Sequence, residues 1–245
     1  MTLRFRWIAL LGAMVIGQQA RAIVVSGTNP NDPMWASTFA GVGFAQTGAG
    51  NCTGSLLSTG IHVLTAAHCI GGSGGAVTFH TSGGTFVYSI ASMIANPGFN
   101  INNLSNGMDV GIITLTQIAD PTVTRYGLFT GSNELGQTGT IVGYGREGTG
   151  NTGGNGGTSG TGRQGVNNID QILNGQVLLY DFDDVNRPNT NSMGGFAISG
   201  EVGIYLGDSG GPTFLGGLIA GVAAYIKRLR PNTRIIGVEA LVRWP

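Results

Sequence analysis

Gly207-Asp208-Ser209-Gly210-Gly211-Pro212 sets one serine among three glycines. With no Cβ on its neighbours, the backbone there can approach a substrate closely. The same residues satisfy G-x-S-x-G, the pattern of a nucleophile elbow. An elbow mechanism takes its histidine from a position after the serine. Here His62, His68 and His80 are the only histidines, and all precede Ser209. An elbow would therefore have no base. Nor does the sequence carry a long amphipathic helical pattern, which the elbow's strand-to-helix turn requires.

A serine nucleophile still needs a base of near-neutral pKa and a carboxylate to orient it. His62 alternates with apolar residues in Ile61-His62-Val63-Leu64 and reads as the solvent side of a strand. His80 ends a strand-like run before Thr81-Ser82-Gly83-Gly84 and reads as a turn flank. His68 lies in Leu64-Thr65-Ala66-Ala67-His68-Cys69, with small residues on one side and a cysteine on the other. That is a rigid mount for a catalytic group. Asp109 is the best carboxylate, because it stands at the mouth of Val110–Leu115, a continuous apolar run that predicts a strand buried on both faces. A buried carboxylate must be hydrogen-bonded or paired, and His68 is the candidate partner. A lone aspartate at a strand start is more often a turn residue.

The 245 residues include 45 glycines without a Gly-X-Y period, which excludes collagen. Charged residues make up 10% and the net charge is +0. Those values exclude charge-driven disorder and a basic nucleic-acid footprint. Short strand-like runs between turn signals predict an all-β chain. They fall at Ile61–Leu64, Ala76–His80, Thr85–Ile90, Val110–Leu115, Thr140–Gly143, Gln176–Tyr180, Leu218–Tyr225 and Arg234–Val238. Phe86, Tyr88 and Ile90 share one face of their run. Pro121–Gly136 has weaker strand character and reads as a link between two halves. Residues 148–162 form a glycine tract that matches G-x-G-x-x-G at Gly148, Gly150 and Gly153. Without a βαβ context the match carries no nucleotide site, and a mobile surface loop is expected.

Residues 1–22 read as a signal peptide. Arg4 and Arg6 precede the apolar run Trp7–Ile16, and Ala20-Arg21-Ala22 fits an A-x-A cleavage site. The run is too short to span a bilayer. The expected product is secreted or periplasmic, begins at Ile23, and has no membrane association after signal removal. In an exported chain the two cysteines, Cys52 and Cys69, default to one disulfide. The rival is a zinc site that includes His68, but the spacing fits no common zinc motif.

Taken together, Thr65–Cys69 (TAAHC), Asp109-Val110-Gly111-Ile112 and Gly207–Pro212 (GDSGGP) resemble the chymotrypsin/trypsin family of serine proteases. The order His, Asp, Ser is that family's order. Gly143-Tyr144-Gly145 stands where the family usually has Gly-Trp-Gly, and Val238–Trp244 looks like the last strand entering the C-terminal helix. The resemblance covers essentially the whole mature chain. It implies two six-stranded antiparallel β-barrels, over 23–125 and 126–245, with the active site in the cleft between them.

By that likeness Ser209 is the nucleophile, His68 its base and Asp109 the residue that holds the imidazole. The N–H groups of Gly207 and Ser209 form the oxyanion hole, and no metal or other cofactor is required. Substrates are proteins or peptides. The Cys52–Cys69 disulfide brackets the histidine loop. Ile23-Val24-Val25-Ser26 is similar to the family's mature start, whose ammonium pairs with the residue matched by Asp208. At the pocket base stands Gly203, where trypsin-like specificity needs an aspartate, and Glu201 is two residues off register. The matched walls are Ile226 and Thr233, which implies a preference for small or medium apolar residues before the scissile bond. Ala224-Tyr225-Ile226 replaces the family's Ser-Trp-Gly, and Ala224 cannot donate the usual hydrogen bond to Asp109. That departure supports the alternative, a protease-fold binding protein with impaired catalysis.

Overall fold

The structure is a computed structural model that describes residues 23–27, 29–30, 32–150, 153–156, 159–183, 193, 196–225 and 236–241. The expected signal peptide and the pocket walls Ile226 and Thr233 lie outside the described residues.

The first half runs β1 (Val24–Val25), β2 (Val42–Thr47), β3 (Gly50–Leu56), β4 (His62–Thr65), β5 (Ala76–Thr81), β6 (Gly84–Ala95) and β7 (Gly111–Leu115). The second runs β8 (Thr138–Gly143), β9 (Glu147–Thr149), β10 (Gly153–Gly156), β11 (Arg163–Asn168), β12 (Gln171–Leu173) and β13 (Val177–Asp181). It ends with β14 (Val202–Gly203), β15 (Pro212–Leu215), β16 (Leu218–Tyr225) and β17 (Ile236–Leu241). The helical segments among the described residues are single 3-10 turns, as at Ala67–Cys69.

Strands β2 to β7 close into a barrel in the order β2-β3-β4-β7-β6-β5, with every neighbouring pair antiparallel. Alternation drives its closure, since a strand that buries every second side chain needs one filled interior and one outer face. On β6, Phe86, Tyr88 and Ile90 turn inward together while Val87 is exposed. The expectation of a strand buried on both faces fails at β7. Gly111, Ile113 and Leu115 are buried, whereas Ile112 and Thr114 are only partly covered. A barrel of this size has an outer face that its neighbours shield incompletely, so an apolar outer residue suffices.

The second half forms a seven-stranded curled sheet, ordered β11-β8-β15-β16-β17-β13-β12. The extra strand is β12, which hairpins onto β13. Asn167 of β11 reaches β13 through a side-chain bond, its Nδ2 donating to the Asp181 carbonyl at 2.6 Å. The two halves share one core. Phe214 of β15 stacks on Phe39 of the first half and meets Tyr126 of the linking segment at a tilt, with ring centroids 4.7 Å apart in both cases, and Val142, Ile219 and Val222 belong to the same buried cluster as Val63 and Ile113. Each such fully buried aliphatic side chain contributes about 1.5–3 kcal/mol, so the relative placement of the halves is a packed feature. The link expected at Pro121–Gly136 crosses between them, through bridges Leu57 to Tyr126 and Leu128 to Ile219.

The glycine tract is not all loop. β9 pairs in parallel with β1, and β10 hairpins back on β9, giving a small sheet β10-β9-β1-β14. The physical reason is that β1 offers a free edge beside β14, and edge N–H and C=O groups recruit any extended chain nearby.

Candidate active site

β4 ends at Thr65 and the chain turns through Ala66 into the 3-10 turn Ala67–Cys69. Ala66, Ala67 and Cys69 are buried, which leaves His68 as the side chain turned outward, 25% exposed. Cys69 is bonded to Cys52 of β3, so the turn is fixed at its far end. The zinc alternative loses its thiolates to that bond. Asp109 comes from the stretch entering β7, which pairs with β4, and it is 1% exposed. His68 Nδ1 lies 2.6 Å from Asp109 Oδ2, and the His68 backbone N–H donates to Asp109 Oδ1 at 2.9 Å. Both carboxylate oxygens are therefore held by one residue. Ala224 is itself buried and carries no side-chain donor.

Among the described residues the other histidines bond hydroxyls and no carboxylate. His62 Nδ1 bonds Thr59 Oγ1 at 2.9 Å and His80 Nδ1 bonds Thr85 Oγ1 at 3.0 Å.

Ser209 reaches this pair from the second half. Its carbonyl accepts from the Thr53 N–H at 2.8 Å, and Cys69 Sγ lies 3.7 Å from the same oxygen. Ser209 Oγ and the His68 ring make no hydrogen bond among the described residues. Such contacts are often loose without substrate. The serine loop is held by Gly210 N–H to Ala223 O and Gly211 N–H to Asp208 O, both at 2.8 Å. Gly210 has φ +84°, and a Cβ there would fall 2.2 Å from the Thr53 carbonyl, so only glycine fits. The N–H groups of Gly207 and Ser209 enter no backbone hydrogen bond among the described residues, which leaves two adjacent donors for an incoming anion.

Thr53 is the residue that sequence reasoning missed. It is fully buried on β3. Its hydroxyl donates to the Gly207 carbonyl at 2.9 Å and accepts from the Tyr144 N–H at 2.9 Å. Its own carbonyl accepts from Thr65 Oγ1 at 2.8 Å. One threonine thus ties the histidine-bearing strands to both walls of the serine loop. Its only sequence signal is its place beside Cys52.

Asp208 is fully buried. Its carboxylate accepts from Gly145 N–H and Tyr205 N–H, each at 2.8 Å, and from the Ile23 N–H. Burial pushes its pKa up to about 7, with the three N–H groups and the Arg163 charge pulling the other way. Ile23 is itself buried at φ +69°, a strained conformation for a β-branched residue that costs about 1–3 kcal/mol. Gly203 is buried on β14 and pairs with Val24. Glu201 turns elsewhere, its carboxylate accepting from the N–H groups of Asp183 and Ile198. Burial first, then the negative charges of Asp183 and Asp181, push it up to about 7.

A closed six-stranded barrel packed on a second curled sheet, with a His–Asp pair on the first and a glycine-flanked serine on the second, defines the two-barrel chymotrypsin fold. The family model for Trypsin matches residues 24–244, and the chain belongs to this family of serine proteases. Solved structures agree on the fold. Human heparin binding protein is 22% identical, with a TM-score of 0.61 over 85% of this chain and 89% of its own. HL collagenase is 18% identical, with a TM-score of 0.61 over 85% and 90%. Mouse neuropsin, a serine protease expressed in the limbic system of the brain, is 21% identical, with a TM-score of 0.59 over 84% and 90%. A search of curated proteins finds no match to the chain.

Proposed function

We propose that the chain is a secreted serine endopeptidase that cleaves protein or peptide substrates through an acyl-enzyme. The observation that carries this reading is the clamp of Asp109 on His68, made at both carboxylate oxygens, together with a serine whose own N–H and that of Gly207 enter no backbone hydrogen bond among the described residues. Ser209 Oγ attacks the scissile carbonyl and His68 Nε2 takes its proton. Asp109 fixes the tautomer with Nδ1 protonated and stabilises the imidazolium. The N–H groups of Gly207 and Ser209 receive the oxyanion, each such donor contributing about 3–4 kcal/mol. The proton then passes from His68 to the leaving amine, and water repeats the sequence on the acyl-enzyme. Gly203 at the pocket base offers no charge, which favours small apolar residues before the scissile bond.

Processing completes the site. Residues 1–22 direct export, and cleavage after Ala22 turns the Ile23 amide into an ammonium. The Ile23 nitrogen already faces Asp208, so the new charge meets a buried carboxylate. Cleavage also relieves the φ strain, because an N-terminal residue has no preceding carbonyl to clash with. The alternative is a binding protein that keeps the fold without turnover. One neighbour of this fold is named for binding heparin.

The two are separated by treating the secreted protein with a serine-directed phosphonylating reagent. Stoichiometric labelling that Ser209→Ala abolishes, together with peptide cleavage, supports the enzyme. No labelling of a folded, correctly processed chain sinks it.

A further inference from the structure

Arg163 opens β11 in the interior of the protein and is 4% exposed. Its Nη2 lies 3.6 Å from Glu147 Oε2 of β9. A buried charge is costly unless it is paired, and Glu147 supplies one partner. The sheet turns Arg163 toward a second. Arg163 stands directly opposite Gly143 in the β11–β8 ladder, and opposed residues of an antiparallel pair share one face. Asp208 lies on that face, because a Cβ added to Gly143 would collide with Asp208 Oδ1. The Arg163 charge accordingly favours the ionised form of Asp208, against the burial that opposes it.

Ile23 completes the line. β9 runs parallel to β1 with Gly148 level with Val24, so one step back along that register sets Glu147 beside Ile23. The uncleaved chain thus holds one buried cation, Arg163, against two carboxylates, those of Glu147 and Asp208. Release of the Ile23 ammonium makes the count two and two. Among the described residues, the other groups around Asp208 add no buried cation. β8 and β14 carry no titratable side chain. Tyr180 of β13 is kept neutral, since burial, then Glu239 and Asp208, raise its pKa well above the ordinary value. Its hydroxyl donates to Glu239 Oε1 of β17 at 2.8 Å, and burial pushes that carboxyl up to about 7. Burial also pushes Tyr144 up to about 12. Tyr205 meets Asp208 through its N–H, and Arg146 is exposed.

We propose that Arg163, seated by Glu147, is a positioning residue of the reaction. It is the standing counter-charge that keeps the Asp208 carboxylate ready for the Ile23 ammonium, and through that pair it sets the pH range over which the serine loop is held. This rests on the endopeptidase reading and deepens it by assigning what controls its N-terminal switch.

The test uses the full secreted enzyme as native protein, Arg163→Met, Arg163→Lys and Glu147→Gln. Active sites are counted with the phosphonylating reagent, and kcat and KM per labelled site are read across the neutral and alkaline range. Native kcat should fall at high pH as the Ile23 ammonium loses its proton. Arg163→Met removes a cation that repels this ammonium, so the fall should move up by at least about half a pH unit. Glu147→Gln leaves Arg163 unbalanced, so the fall should move down by a similar step. Arg163→Met should also lower kcat several-fold with KM little changed, and Arg163→Lys should restore both kcat and the native pH of the fall.

A purely structural strap would change the amount of labelled enzyme but not the pH at which each labelled site fails. Labelled Arg163→Met and Glu147→Gln enzymes that fail at the native pH, or that shift in the same direction, overturn the proposal. If Arg163→Met yields no labelled enzyme, Glu147→Gln decides, and a native pH of failure there overturns it. If neither variant labels, the pair is structural and the proposal falls. A native enzyme with no alkaline loss has no switch for Arg163 to set, which also overturns it. A native protein that neither labels nor cleaves overturns the endopeptidase reading itself, a result distinct from all of these.

Discussion

Replacing Thr53 with valine keeps the branched shape and removes one hydroxyl. That hydroxyl joins three segments, since it donates to Gly207 O and accepts from Tyr144 N–H, both at 2.9 Å, from a fully buried position on β3. Valine leaves a carbonyl and an N–H in the interior with no partner. Each orphaned group costs about 1–3 kcal/mol, so the pair should cost roughly 2–6 kcal/mol. For a chain of this size that is a fall in Tm of about 4–24 °C. Function should suffer separately. Gly207 is a proposed oxyanion donor, and loss of a donor outright costs about 10²–10³ in kcat. Loss of its carbonyl anchor displaces the donor without deleting it, so kcat should fall roughly 10–100-fold with KM little changed. Thr53→Ser keeps the hydroxyl and should stay within about 1 kcal/mol of native. The assay is urea unfolding of both variants alongside kcat and KM per titrated active site. A valine variant as stable as the serine variant, with kcat within twofold of native, would refute the reasoning.

Asp109→Asn keeps the shape of the clamp but offers a donor where His68 Nδ1–H needs an acceptor, so kcat should drop by roughly 10⁴ while the fold stays intact by circular dichroism. In the uncleaved chain, Asp208 has a pKa pushed up from 3.8 to about 7, so between those values the folded state holds a proton that the unfolded state releases. Stability should therefore decline as pH rises through that window and level off above it. Urea unfolding of an uncleaved Ser209→Ala chain at several pH values should show this slope, and Asp208→Asn should flatten it; an unchanged slope contradicts the assignment. In the processed chain the loss with rising pH moves to a higher range, because the Ile23 ammonium gains a partner. Its pKa should rise above the ordinary ~7.7–8.0, with activity full below that range and lost as pH passes the raised value. Reduction of Cys52–Cys69 should cost about 3 kcal/mol in the chain-entropy model and lower activity by releasing the His68 turn, which unfolding and turnover measured with and without reductant will show.

The sequence by itself determined the class of fold and the candidate chemistry. Ser209, His68 and Asp109 were legible because each sits in a short local string whose residue types have few other uses. The small residues around His68 admit a tight turn, and the glycines around Ser209 admit a positive φ and close backbone contact. Strands with strict alternation, such as β6, were equally plain, because burial of one face is written into every second residue. β2, β3 and β11 escaped notice because their inward residues include glycine, alanine, threonine and asparagine, which carry no hydrophobic period. β9 and β10 lie in a tract that local propensity assigns to a loop, and only the free edge of β1 makes them strands. Thr53 and the Tyr180–Glu239 pair were invisible for a related reason. A threonine beside a cysteine and a glutamate in an apolar strand acquire meaning only from partners many residues away, at Gly207, Tyr144 and Tyr180. Hydrogen bonds of that span are decided by how the two halves pack, and that packing is a property of the assembled core rather than of any segment that enters it.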